Sequence, residues 1–132
     1  RNKDANADFY RKGRLAAIGM TSKIKAGEIV GLTGDQLLRE GINVPFFGLE
    51  TPTPQAAAIM ALKWNTPIYM VRIERFNGIR FKMTVEDKLN IPANLDKERA
   101  TYEITRLISS RIEEWIVDKP EQWLWAHRRW GK

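Results

Sequence analysis

Cysteine is absent from this chain of 132 residues, and histidine occurs only once. The first absence excludes disulfide bonds, thiolate metal sites and a cysteine nucleophile, and it leaves the redox compartment open. With one histidine, a zinc site would have to be built mostly from carboxylates, which structural and catalytic zinc sites seldom use. We therefore expect neither a metal nor another cofactor.

Long apolar runs are absent too. No stretch approaches the ~20 apolar residues of a membrane-spanning helix, and no signal-peptide pattern is present. Four scattered glycines, at positions 31, 34, 41 and 48, do not form a Walker-type or dinucleotide-binding phosphate loop. The chain starts with Arg1 rather than Met, so we expect a processed or trimmed piece of a longer protein.

Charge favours the positive side, with 22 Lys+Arg against 16 Asp+Glu and a formal net charge of +6. This balance favours phosphate-bearing or acidic partners, namely nucleic acid, anionic lipid or an acidic carrier protein, and does not choose among them. The length of 132 residues indicates one domain with a real hydrophobic core.

Hydrophobic periodicity and turn residues predict alternating helices and strands. Thr53-Pro54 is typical of a helix start, Asn77-Gly78 of a two-residue hairpin turn, and Asn94 or Asp96 of a helix cap. Pro45 favours an edge strand or a loop. The expected fold is α/β, a mixed sheet flanked by helices, with helices at 14–26, 55–64 and 95–117 and strands at 28–33, 68–73 and 79–85.

Asp35 and Gln36 follow the predicted strand 28–33 directly. A sharp turn with an acid and an amide at the carboxyl end of a buried strand is where open α/β sheets place their sites. The alternative is an Asx-type turn, in which Asp35 bonds its own backbone. Both interpretations stay open on position alone.

The C-terminal residues 120–132 combine three of the five tryptophans with the only histidine and three cations. Broad aromatic faces beside fixed positive charge suit an anionic, partly apolar partner such as a lipid phosphate. The alternative is a terminal segment whose tryptophans complete the core while its arginines face water. His127 has no acid nearby to orient it as a base, so a structural hydrogen bond is the simpler role.

These residues carry a resemblance. Residues 120–130, Pro-Glu-Gln-Trp-Leu-Trp-Ala-His-Arg-Arg-Trp, resemble the C-terminal signature of the bacterial lipid A biosynthesis lauroyl/myristoyl acyltransferases. Asp35-Gln36 followed by residues 41–48, Gly-Ile-Asn-Val-Pro-Phe-Phe-Gly, resembles the central motif of the same family. Residues 12–17, Lys-Gly-Arg-Leu-Ala-Ala, are similar to a stretch found in some members. Order and spacing agree from about residue 11 to the end.

The resemblance implies transfer of a fatty acyl chain from acyl carrier protein to a hydroxyl of a lipid A precursor. It also implies a three-layer fold shared with glycerolipid acyltransferases, at the cytoplasmic face of the inner membrane. Expected partners are therefore acyl carrier protein, the lipid A precursor and an anionic membrane surface, and not nucleic acid.

The family's catalytic pair is a histidine with an acid five residues later. This sequence lacks such a pair, since the residue five positions after His127 is Lys132. The resemblance therefore implies that residues 1–132 are the C-terminal portion of a single acyltransferase domain, inactive alone, whose catalytic residues and N-terminal half lie elsewhere. Its implied substrate-binding residues are Arg14, Asp35, Gln36, His127, Arg128 and Arg129.

Two other functions remain as alternatives. One is a non-catalytic relative that binds lipid or carrier without chemistry; the other is a basic nucleic-acid-binding module, suggested by the charge and the Trp/Arg clustering. Half a sheet would expose an unpaired edge and an uncovered apolar face. We therefore expect the chain either to associate with another copy or to need its missing half.

Overall fold

The structure is a computed structural model that describes residues 14–131, with side chains from residue 15 onward. The chain divides into two compact units, Arg1–Gly31 and Leu32–Lys132. The described elements are three α-helices, four β-strands and one 3-10 helix, which confirms an α/β composition. In chain order they are α1 (Arg14–Lys25), β1 (Ile42–Phe46), β2 (Leu49–Thr53), α2 (Ala56–Trp64), β3 (Tyr69–Phe76), β4 (Arg80–Lys88), α3 (Lys97–Asp118) and the 3-10 helix Pro120–Gln122.

The first unit contributes helix α1, which matches the prediction. Gly27 follows it with φ of 76°, a left-handed conformation that ends a helix without steric cost. The strand predicted at 28–33 is wrong, because this segment has no regular secondary structure and Ile29 is exposed. An apolar segment forms a β-strand only when a neighbouring strand provides hydrogen-bond partners for its backbone N–H and carbonyl groups. Within residues 14–131, no strand pairs with residues 28–33.

The sheet is also different from the prediction. The strands form two separate antiparallel pairs, β1 with β2 and β3 with β4, rather than one mixed sheet. The expected mixed sheet depended on a central strand at 28–33. Since that segment is irregular, nothing in the described chain joins the two hairpins through backbone hydrogen bonds.

The β1–β2 hairpin was not predicted, although Pro45 of β1 lies in one of its two expected settings, an edge strand. Its two-residue turn is Phe47-Gly48, with φ of 50° and 74°. Two consecutive positive φ values are what a type I′ turn requires, and they match the twist of the flanking strands. Thr53 closes β2 instead of capping a helix, so α2 starts later than predicted, after Gln55 and without a side-chain cap.

The β3–β4 hairpin forms at the predicted turn, but β3 and β4 both extend beyond the predicted ends at 73 and 85. Asn77 and Gly78 adopt positive φ values of 48° and 72°. The loop takes in Ile79 as well, so that Phe76 pairs with Arg80. Helix α3 is capped as predicted by Asp96, whose carboxylate accepts a 2.9 Å hydrogen bond from the backbone N–H of Arg99.

The hydrophobic core of the second unit joins three elements. Phe46 from β1, Met70 from β3, and Ile112 with Ile116 from α3 are buried together. Trp115, Trp123 and Trp130 pack against this cluster from the α3 end and from the C-terminal residues. Trp123 and Trp130 thus complete the core, as one of the two sequence interpretations predicts. Trp125 stays exposed, however, and Arg129, which that interpretation places in water, is buried.

Candidate functional site

Residues 120–131, the C-terminal segment, fold over the β1–β2 hairpin and the loop that precedes it. The Trp130 indole donates a 3.2 Å hydrogen bond to the Phe46 carbonyl, and its ring centroid lies 5.6 Å from that of Phe46. Trp123 lies 5.8 Å from Phe46 and 5.9 Å from Trp130. The Val-Pro-Phe-Phe-Gly residues of the central motif and the C-terminal tryptophans therefore form one aromatic cluster.

Arg129 is the most deeply placed charge in this cluster, with 1% of its surface exposed. Its guanidinium donates to the Pro52 carbonyl at 3.1 Å and to the Thr53 hydroxyl at 2.7 Å. It also lies 4.6 Å above the centroid of the Phe46 ring. These contacts attach the C-terminal segment to both strands of the β1–β2 hairpin.

No carboxylate forms a salt bridge with Arg129 within the described part of the chain, and its Nε atom is buried without a hydrogen-bond partner there. Burial lowers the pKa of the Arg129 guanidinium below its ordinary value, and the charge of Asp35 opposes this shift. Asp35 is thus the acid whose field reaches the buried cation.

His127 joins the same cluster through its ring. Its Nε2 atom accepts a 3.0 Å hydrogen bond from the backbone N–H of Leu37. A ring nitrogen that accepts is not at the same time a donor, so the ring is held as a partner of the loop after Asp35-Gln36. This is the structural hydrogen bond that the sequence favoured over a catalytic role.

Five of the six predicted substrate-binding residues lie in the second unit. Asp35, Gln36 and His127 are half-buried, Arg129 is buried, and Arg128 is exposed. Arg14 starts α1 in the first unit, and its side chain lies outside the described part of the chain, as do Lys12 and Gly13 of the third similar stretch. Of the predicted cations whose side chains are described, Arg128 is therefore the one that can reach a ligand from solvent.

Gly41, the first residue of the 41–48 part of the central motif, is fixed by close packing. A Cβ atom at this position would overlap the backbone carbonyl of Thr53 and would lie 2.9 Å from the carbonyl oxygen of Leu38. The Gly41 N–H donates to that same Leu38 oxygen at 2.8 Å. Glycine is required here because the loop and β2 approach more closely than any side chain permits.

Glu86 on β4 forms a polar cluster that the sequence did not reveal. Arg111 of α3 donates to both of its carboxylate oxygens, at 3.0 and 2.8 Å from Nε, and the Trp115 indole adds a 2.9 Å bond. The hydrogen bond from Arg111 holds the pKa of Glu86 below its ordinary value despite burial, and the bond from Trp115 acts in the same direction. The sequence gave no signal for this cluster, because Arg111 and Glu86 lie on different elements, 25 positions apart, and helical periodicity relates only residues of one helix.

A second missed cluster fastens the end of α3 to β3. Lys119 lies 2.7 Å from the Glu74 carboxylate, and Arg72 bridges Glu74 at 3.3 Å and Asp118 at 2.8 Å. The hydrogen bond from Lys119 is the main reason that the pKa of Glu74 lies below its ordinary value, with Arg72 contributing through its charge.

Gln122 makes a further contact, with the outer edge of β3. Its amide oxygen accepts from the Arg75 N–H at 3.0 Å, and its amide nitrogen donates to the Arg75 carbonyl at 3.0 Å. A side-chain amide thus replaces a neighbouring strand at this residue.

Within positions 14–131, no cluster of three or more His, Asp or Glu side chains is arranged to hold a metal ion. Over the same positions, no helix combines the length and the apolar character needed to cross a membrane.

The structure thus defines an α/β protein in which the central and C-terminal motifs form one aromatic and cationic cluster. A family model described as bacterial lipid A biosynthesis acyltransferase matches residues 10–132. The chain belongs to this bacterial lipid A biosynthesis acyltransferase family, which confirms the resemblance of the two motifs and indicates an acyltransferase. A comparison with curated proteins finds no match.

Proposed function

We propose that the chain is the C-terminal portion of an enzyme domain that transfers a fatty acyl chain from acyl carrier protein to a hydroxyl of a lipid A precursor. The observation that supports this proposal is the packing of residues 120–131 against the β1–β2 hairpin, in a chain that belongs to the lipid A acyltransferase family. The two motifs on which the resemblance rests therefore pack directly against each other.

The reaction itself is an ester formation from a thioester. The hydroxyl oxygen of the acceptor attacks the thioester carbonyl, a C–O bond forms and the C–S bond breaks. A histidine base takes the hydroxyl proton and the departing thiolate receives a proton in return. In the proposed enzyme, this histidine and its acidic partner five residues later precede the residues of this chain, because His127 is bonded to Leu37 and has no such acid.

Within this arrangement, the described residues bind and position. Arg128 is exposed, so it is the residue proposed to contact a lipid phosphate or an acidic surface of the carrier. Asp35 and Gln36, both half-buried, are proposed to orient polar groups of the acceptor. Arg129 and His127 hold the segment that carries Arg128, while Arg14 stays a proposed substrate contact on the resemblance alone.

The proposed surroundings are a three-layer glycerolipid-acyltransferase-like domain at the cytoplasmic face of the inner membrane. One observation supports a larger domain: Val71, Ile73 and Val85 form an exposed apolar face at the base of the β3–β4 hairpin. Soluble domains usually cover such a face. The remainder of the acyltransferase domain, or in its absence a second copy of the chain, would cover it.

Acyl transfer by the complete gene product tests the proposal. Purified protein is incubated with acyl carrier protein carrying a labelled fatty acid and with a lipid A precursor, and the product is analysed by mass spectrometry. We expect one added acyl group with the complete protein and none with residues 1–132 alone. Absence of transfer, or of any upstream histidine with Asp or Glu five positions later, contradicts the enzyme proposal.

The exposed Arg128 and Trp125 side chains also fit a second candidate, a non-catalytic relative that binds lipid or carrier. If the complete protein binds acyl carrier protein or the lipid A precursor but transfers nothing, the second candidate replaces the first. Transfer activity of residues 1–132 alone would instead contradict the division of the domain.

A further inference from the structure

The hairpin tip, residues 75–82 with the sequence Arg-Phe-Asn-Gly-Ile-Arg-Phe-Lys, exposes large apolar side chains in several directions. Ile79 in the loop is 92% exposed, Phe81 is 60% exposed and Phe76 is 57% exposed. Phe81 pairs with Arg75 and Phe76 with Arg80, so the two rings lie on opposite faces of the hairpin. A single protein layer packed against one face would leave the other ring uncovered.

The charge of the hairpin tip has one sign. Arg75, Arg80 and Lys82 contribute +3, and no Asp or Glu occurs between them, in a chain whose formal net charge is +6. Neither Arg80 nor Lys82 forms a salt bridge within the described positions. Glu74 is the cross-strand partner of Lys82, but its carboxylate is bonded by Arg72 and Lys119. Arg75, Arg80 and Lys82 are all exposed, so the tip presents its cations to the outside.

The polar backbone of the tip is partly satisfied from within the protein. Gln122 bonds both the N–H and the carbonyl of Arg75. The Arg75 guanidinium reaches the Gly78 carbonyl at 3.5 Å and lies 5.2 Å from the Phe81 ring centroid. Backbone groups that already have partners lower the cost of entering a medium with little water.

We propose that the hairpin tip inserts shallowly into the surface of an anionic phospholipid bilayer. Phe76, Ile79 and Phe81 enter the boundary between headgroups and acyl chains, while Arg75, Arg80 and Lys82 stay at the level of the lipid phosphates. This extends the proposed membrane localisation to a defined surface, and it does not depend on acyl transfer.

A bilayer fits the tip better than a protein or a nucleic acid does. A protein partner that covered the tip would have to supply carboxylates for three cations and pockets on both faces. A nucleic acid would use stacking aromatic rings, whereas the most exposed of the tip's large apolar side chains is the aliphatic Ile79. Apolar side chains surrounded by cations are what the interface of an anionic membrane accommodates.

Co-sedimentation of residues 1–132 with vesicles tests the proposal. We expect binding to vesicles of phosphatidylglycerol and phosphatidylcholine at 1:3, weakening as NaCl rises, and little binding to phosphatidylcholine alone. The double variant Arg80→Gln/Lys82→Gln should bind about 30-fold more weakly, since each cation near such a surface is worth about fivefold. Ile79→Ser should weaken binding about fivefold.

A matched control removes the same charge elsewhere. Lys97→Gln/Arg99→Gln changes two exposed cations at the start of α3, a helix of 22 residues whose other end adjoins the tip. The Asp96 cap uses only the backbone of Arg99, so the fold is retained. Binding of this control should differ from that of the unmodified chain by less than about twofold, because screening limits such charges to about a Debye length.

Four results would overturn the proposal. One is equal loss of binding in the tip variant and its control, and another is loss only in a Leu124→Ser/Trp125→Ser variant, which alters the exposed apolar pair of the C-terminal segment. A third is a dimer that the tip substitutions dissociate without any vesicle binding, which would identify a protein interface. The fourth is tighter binding to a polynucleotide than to the vesicles.

A failed acyl-transfer assay leaves this proposal standing, and failed vesicle binding leaves the acyltransferase proposal standing.

Discussion

The Nε2 atom of His127 and the backbone N–H of Leu37 are joined by a 3.0 Å hydrogen bond across 90 positions of sequence. The bond connects the C-terminal segment to the loop that carries Asp35 and Gln36. It gives His127 a role other than that of a base, since its ring supplies the acceptor that a half-buried backbone donor requires.

Replacing His127 tests this structural role. His127→Ala removes the acceptor and leaves the Leu37 N–H unpaired, so the free energy of unfolding should fall by about 1–3 kcal/mol. His127→Gln keeps an acceptor within reach and should recover part of that loss. Urea unfolding followed by far-UV circular dichroism measures both, and Arg128→Gln, an exposed neighbour, should stay within about 0.5 kcal/mol of the unmodified chain. Equal effects of Ala at position 127 and Gln at position 128 would contradict the role.

Arg129 offers a sharper comparison, because its volume and its charge can be removed separately. Arg129→Met keeps most of the volume, and the Pro52 carbonyl retains a 3.4 Å contact from the Leu38 N–H. The cost of Met should therefore be about 1 kcal/mol or less, since burying the cation is itself unfavourable. Arg129→Ala leaves a cavity beside Phe46 and should cost about 2–5 kcal/mol. If urea unfolding shows that Arg129→Met loses as much unfolding free energy as Arg129→Ala, the hydrogen bonds of the guanidinium contribute more to stability than the packing of the side chain, contrary to this prediction.

The outcome at positions 128 and 129 shows where sequence reasoning stops. Two adjacent arginines give the same local signal, yet one is exposed and the other is buried against Phe46, Pro52 and Thr53. Only the path of the segment over the β1–β2 hairpin decides between them, and that path depends on residues more than 70 positions away.

Local signals were reliable where one element carries the information. The Asn77-Gly78 turn and the Asp96 cap of α3 were predicted because turns and caps depend on neighbouring residues. The prediction of a strand at 28–33 was wrong and β2 was missed, because a β-strand forms only where a second strand pairs with it, and that pairing is not visible in the local sequence. The chain of β2, Leu-Glu-Thr-Pro-Thr, contains a proline and one large apolar residue, so it gives almost no strand signal.

Acid should weaken the attachment of α3 to β4. The pKa of Glu86 is lowered in the folded protein, mainly by Arg111. Its contribution to stability is therefore complete above its ordinary pKa of 4.5 and is lost as pH falls through the lowered folded value. The difference in unfolding free energy between the unmodified chain and Glu86→Gln should shrink as pH falls from 6 to below 4. Urea midpoints across this range measure it, and a constant difference would show that Glu86 acts through packing alone.

Gln122 should protect the backbone of β3 locally. Gln122→Ala removes the donor to the Arg75 carbonyl and the acceptor from its N–H, two exposed bonds worth together about 1–3 kcal/mol at most. Hydrogen exchange followed by NMR should show faster exchange of the Arg75 amide in this variant. Glu121→Ala, at the exposed preceding residue, is the control. Unchanged exchange at Arg75 in Gln122→Ala would mean that the amide pairing does not persist in solution.

The opposite placement of Arg128 and Arg129 is the central claim of this account, and acyl-transfer kinetics of the complete protein test it most directly. Arg128→Gln should lower kcat/KM about tenfold, the loss of one charge-assisted contact with a phosphate or an acidic carrier, while the unfolding midpoint stays the same. Arg129→Met should leave kcat/KM within about threefold of the unmodified enzyme, because the Arg129 guanidinium is buried and bonded to Pro52 and Thr53. A tenfold loss in Arg129→Met together with unchanged kinetics in Arg128→Gln would contradict the claim.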